Sequence, residues 1–110
     1  MLNTQNAILS SFLFANNIGE NIEDAFILDE TVFNTPLTNR IAHKINEETL
    51  NDKMYGFQLV SIEDDLKGTK FETEFIDILS QLPLPLTVAQ RLHDKLIKKC
   101  KQRIAIGLPC

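Results

Sequence analysis

Apolar positions along the chain fall into short stripes at helical spacing, divided by Gly, Pro and hydroxyl residues. Ile8, Leu9, Phe12 and Leu13 form the first stripe and predict a helix over residues 4–16, with Thr4 as its N-cap. Ser10 and Ser11 interrupt the apolar run, and Gly19 offers a left-handed stop. A shorter helix is expected over 20–28, with Ile22, Phe26 and Ile27 facing inward and Glu20, Glu23 and Asp24 at its positive end. Thr35-Pro36 is a helix start, because proline at the first helical position gives up no needed N–H. That helix is expected to run to about residue 46, with Leu37, Ile41 and Ile45 at i+4 steps and Arg40 and Lys44 beside them. Residues 47–57 read as a loop, part of which could extend the helix before it.

Ser61 opens a further short helix that carries Leu66 and ends at Gly68. Residues 71–82 predict another, burying Phe71, Phe75, Ile78, Leu79 and Leu82. Pro83 and Pro85 then impose a rigid break, since the residue before each proline is pushed out of helical geometry. The last helix is expected from Thr87, as its cap, to about residue 106. Its apolar line is Val88, Leu92, Leu96, Cys100 and Ile104, widened by Ala89 and Ile97. The pattern as a whole predicts an all-α fold: a compact bundle of about five to six short helices with a longer amphipathic C-terminal helix. The 110 residues form a single helical interaction domain in this reading.

Charge changes the picture more than composition does. Residues 1–90 carry five Lys/Arg against fourteen Asp/Glu; residues 91–110 carry six Lys/Arg against one Asp. An acidic body therefore bears a basic last helix, with Arg91, Lys95, Lys98, Lys99, Lys101 and Arg103 around its polar side. A helix so long and two-faced suits a helical hairpin or an oligomer seam. It lacks the interleaved aromatics on which single-strand binders stack bases, so no direct nucleic-acid binding is expected. A binder working through Lys95, Lys98 and Lys99 is the reading that a salt-dependent shift of single-stranded DNA would favour.

Candidate chemistry is sparse. No phosphate-binding glycine loop occurs, and Gly19, Gly56, Gly68 and Gly107 are isolated. His43 and His93 lie apart, without metalloprotease spacing, and read as two partly exposed histidines. Glu63-Asp64-Asp65 reads as an acidic first turn, because it lacks the alternating ligands and central glycine of a calcium loop. Ser10, Ser11, Ser61 and Ser80 lack the strand–turn context of a nucleophile. No catalytic, cofactor or metal site is expected. Cys100, on the apolar side of its helix, reads as a buried free thiol; Cys110 reads as exposed and open to intermolecular pairing. The stretch from Ala7 to Ala15 is too short to span a bilayer and has no basic region before it, so a cytoplasmic protein without a membrane segment is expected.

Five segments, in order, resemble the N-terminal domain of DnaB-type replicative DNA helicases. Asn6-Ala-Ile-Leu-Ser-Ser-Phe-Leu-Phe14 is similar to its opening helix, and Phe33-Asn-Thr-Pro36 with Asn39-Arg40-Ile41 to its F-x-x-P-x-x-x-x-I element. Leu59-Val-Ser-Ile-Glu-Asp-Asp-Leu66 with Lys67-Gly68 resembles the next helix, and Asp77-Ile-Leu-Ser-Gln-Leu-Pro83 the segment after it. Thr87 to Arg103 resembles the following helix, although the family's tyrosine is replaced near Leu92 or His93. The likeness covers roughly residues 5–104.

This resemblance implies a helicase N-terminal-domain-like fold and a non-catalytic role in DNA replication. In that family the domain forms a collar, pairs with neighbouring copies and presents a surface to primase. The implied partners are replicative helicase subunits, primase, or both, and a homodimer through the C-terminal helix. On this chain the hairpin contact would fall on Leu92, Leu96 and Ile97, and a second partner contact on Asn39, Arg40 and Lys44. The same fold resembles the C-terminal helicase-binding domain of a primase or primase-polymerase, which is the first alternative. An unrelated small acidic helical adaptor is the second.

Overall fold

A computed structural model describes residues 3–14, 26–50 and 63–110. Within them every regular element is helical and none is a strand. The predicted all-α bundle with a longer C-terminal helix is what the chain adopts. Its α-carbon radius of gyration is 13.6 Å, close to the about 13 Å expected for a compact domain of this size.

Helix α1, Thr4–Leu13, is the hub of the bundle. The two later helices described below and α2, Pro36–Leu50, all pack on it. Ala7, Ile8, Leu9, Phe12 and Leu13 are fully enclosed. Its cap is Asn3, one residue earlier than expected, whose Oδ1 accepts the Asn6 N–H at 3.1 Å. Ser10 and Ser11 do not break the buried face. Ser10 Oγ donates to the Gln81 carbonyl at 3.0 Å. Ser11 Oγ donates to the Ala7 carbonyl at 2.7 Å while accepting the Leu84 N–H at 2.9 Å. Two serines thus tie the proline-rich segment to the hub, and both of their hydroxyls are paired. The predicted stop at Gly19, and Ile22 with the acidic start of the next helix, lie outside the described residues.

Residues 26–29 are not helical, contrary to the helix expected over 20–28, and Ile27 is half exposed. Two side chains from elsewhere claim the backbone here. Asn46 Oδ1 accepts the Leu28 N–H at 2.8 Å, and its Nδ2 donates to the Leu28 carbonyl at 2.9 Å. His93 Nε2 accepts the Asp29 N–H at 2.8 Å. The segment then closes a 3-10 turn, Glu30–Val32, capped by Asp29.

Helix α2 starts where the Thr35-Pro36 pair predicts. The Thr35 hydroxyl accepts the Thr38 N–H at 3.1 Å, and the Thr38 hydroxyl accepts the Thr35 N–H at 3.2 Å, a reciprocal capping box. Leu37, Ile41 and Ile45 are buried as expected, and the helix runs on to Leu50. Ser61 and the rest of the predicted loop, 51–57, lie outside the described residues. Residues 63–66 make one helical turn that buries Leu66, and Gly68, at φ 76°, ends it.

Helix α3, Glu72–Leu79, buries Phe75 and Ile78, with Phe71 and Leu79 partly covered. Leu82 lies beyond it and is 77% exposed, so it is not part of the buried side. Helix α4, Leu86–Ala105, begins one residue before Thr87, with Pro85 at the cap position and no side-chain cap. Its buried face is Leu86, Ala89 and His93, not the predicted line; Val88 and Ile104 are exposed. The reason is geometric. Each residue turns the helix about 100°, so a strict i+4 line drifts about 40° per step and about 160° over four steps. Val88 therefore points about 130° away from the face of Leu86, Ala89 and His93, with Leu92 and Leu96 between them and partly buried. Ile104 turns back to that face but lies in the last turn, beyond the covered part of the helix.

Candidate partner-binding surface

Helix α4 gives the molecule its most distinctive face. Its first turns are anchored: Leu86 and Ala89 are fully enclosed and His93 is 4% exposed. The His93 ring lies 5.2 Å from Phe26 and 6.4 Å from Phe33 between centroids, and Phe26 meets Phe12 edge-on at 4.9 Å. His93 is thus a core residue, not the partly exposed one its sequence context suggests. Burial holds its pKa below the usual histidine value, against the opposing pull of the Asp94 and Asp29 carboxylates. The neutral ring is also what accepts the Asp29 N–H.

From Lys98 to Ile106 every residue is exposed except Cys100, which is partly covered. Arg91, Lys95, Lys98, Lys99, Lys101 and Arg103 are all exposed. None of them forms an ion pair among the described residues. Ile104, Ile106 and Leu108 are exposed beside the last of these cations. A cationic surface edged with large apolar side chains suits an acidic protein face that offers some apolar area. The positions of the cations were legible in the sequence; the exposed apolar rim was not, because Ile104 lies on the predicted apolar line and Ile106 and Leu108 lie past the end of the helix.

The predicted contact residues separate into different roles. Leu92, Leu96 and Ile97 are half buried against the core, so most of their apolar area is used within the chain. Asn39 is exposed, but its Nδ2 donates to the Glu30 carbonyl at 2.9 Å and supports the 3-10 turn. Arg40 and Lys44 line a cleft of about 130 Å³ with Ile41, His43, Asp65 and Leu66. His43 Nδ1 meets Glu30 Oε1 at 3.1 Å on the adjoining surface. The cleft lined by Arg40 and Lys44 is distinct from those lined by Leu96 and by Ile97.

The cysteines correct a second expectation. Cys100 and Cys110 are bonded to each other, so neither is a free thiol. A helix continued for ten residues would carry Cys110 about 15 Å away. Instead the Leu108 N–H returns to the Arg103 carbonyl at 2.8 Å and the Gly107 N–H to Ile104 at 3.0 Å, with Gly107 at φ 84°. This Schellman turn reverses the chain and brings the two α-carbons to 4.5 Å.

Among the described residues no cluster of three or more His, Cys, Asp or Glu side chains could hold a metal ion. None of their helices is long and apolar enough to cross a membrane. No family model, curated protein or solved structure matches the chain.

Proposed function

We propose that the chain is a non-catalytic protein–protein interaction module of the DNA replication machinery, working as the N-terminal domain of a replicative helicase does. The observation that carries this reading is the second half of α4. It is a basic helix end, free of ion pairs among the described residues and rimmed by Ile104, Ile106 and Leu108, on an otherwise acidic chain. Its partner presents an acidic surface, contributed by a helicase subunit or by primase. The ordered likeness of five segments to the helicase domain supports the choice of partner.

The half-buried state of Leu92, Leu96 and Ile97 moves the contact outward, to Lys98, Lys101 and the apolar residues beyond them. The alternative parentage, a helicase-binding domain of a primase or primase-polymerase, uses the same face. The test is capture of purified replicative helicase and purified primase by the immobilised chain. Retention of at least one is expected, with loss in the double variant Lys98→Glu, Lys101→Glu. Helicase alone would favour the primase parentage. Retention of neither would end the replication reading.

A further inference from the structure

The Cys100–Cys110 bond lies at the wall of a second cleft, of about 190 Å³, between the end of α4, the 3-10 turn and the start of α1. Gln5, Val32, Asn34 and Leu96 line it together with Lys99 and Arg103. Both cysteines are half-buried, so the bond is neither sealed in the core nor loose on the surface. Cys110 Sγ also lies 3.6 Å from the Thr31 carbonyl oxygen, so the last residue sits against the 3-10 turn.

We propose that Cys100 and Cys110 form a reversible redox site acted on by a dithiol, and that its oxidation state decides whether Cys110 walls this cleft. Disulfide exchange needs a thiolate to approach one sulfur while the other leaves as a thiolate. The cleft gives that approach, and Lys99 and Arg103 supply positive charge beside both the incoming and the departing anion. The dithiol attacks Cys110 Sγ and releases Cys100 as a thiolate, which takes a proton. The second thiol of the reductant then displaces Cys110. Two electrons and two protons pass to the protein, and the reductant leaves as a disulfide. The turn at Gly107 then holds residues 106–108, Cys110 loses its covalent tie to α4, and the cleft loses that part of its wall. Re-oxidation by a disulfide, which takes up the two electrons and two protons and leaves as thiols, restores the bond, because the turn at Gly107 keeps Cys110 within reach of Cys100.

The test uses the full chain, oxidised with oxidised glutathione and reduced with dithiothreitol. Iodoacetamide under denaturing conditions should add nothing to the oxidised protein and two carbamidomethyl groups to the reduced one, with the oxidised form monomeric. Trypsin should cut after Arg103 several-fold faster in the reduced protein. The Cys110→Ser variant, with unchanged helical circular dichroism, should be cut at the reduced rate under both conditions. Two alkylatable thiols after oxidation would overturn the proposal. So would a disulfide joining two chains, or equal cutting rates in the two states.

Discussion

The Asn46 side-chain amide pairs with both backbone polar groups of Leu28, accepting its N–H at 2.8 Å and donating to its carbonyl at 2.9 Å. The side chain stands in for a neighbouring strand and lets an extended segment be buried without a sheet. Asn46→Ala would strip both bonds from a Leu28 that is 3% exposed. A buried group left unpaired costs about 1–3 kcal/mol, so the expected loss is about 2–4 kcal/mol. Urea unfolding followed at 222 nm measures it, and a loss below about 0.5 kcal/mol, the scale of an ordinary surface change, would mean the clasp is dispensable.

His93 makes stability depend on pH. Its folded-state pKa is lowered, chiefly by burial, so between the ordinary histidine value and that lower value the unfolded chain binds the proton more readily. Stability is therefore whole above about pH 6.5 and falls as the solution is acidified through that window. His93→Gln, which keeps an acceptor for the Asp29 N–H, should flatten this part of the curve. Denaturation midpoints from pH 5 to pH 8, compared between the two proteins, decide it; parallel curves would assign the slope to other groups.

Phe12 is fully enclosed and meets Phe26 edge-on. Phe12→Ala should cost about 3–5 kcal/mol, while Phe12→Leu, which refills most of the volume, should cost clearly less. Thermal melts of the two variants give the order, and equal losses would show that the aromatic contact dominates over volume.

Reducing the disulfide should lower stability by about 2–3 kcal/mol, the loop-closure value for a crosslink of this span. The matching fall in melting midpoint is on the order of 10 °C. Calorimetry with and without dithiothreitol reads it directly, with Cys100→Ser matching the reduced form. A midpoint that does not move would show that the closed loop adds nothing to the fold.

Helix α2 was legible because its signals are local. Thr35 and Pro36 mark the start, and three apolar residues repeat over only two steps, too few for the drift to matter. The basic face of α4 was legible for the same reason. The polar side chains inside the core were not. Ser10, Ser11, Asn46 and His93 bond to backbone atoms of Gln81, Leu84, Leu28 and Asp29, between 18 and 73 residues away. Every residue type offers such backbone groups, so no partner is marked in the sequence. The serines then look like interruptions, Asn46 like a helix end and His93 like a surface residue. The disulfide stayed hidden because one residue, Gly107, reverses a chain whose helical pattern points straight on.

The hub position of α1 also shapes how the molecule is made. Ser10 reaches its partner 71 residues later, and α4 follows after that. At about 5–20 residues per second, the ribosome releases the oiliest helix several seconds before the segment that will shelter it. Until then Ile8, Leu9 and Phe12 have only the earlier helices to cover them, and a newborn chain of this design is best served by a waiting chaperone.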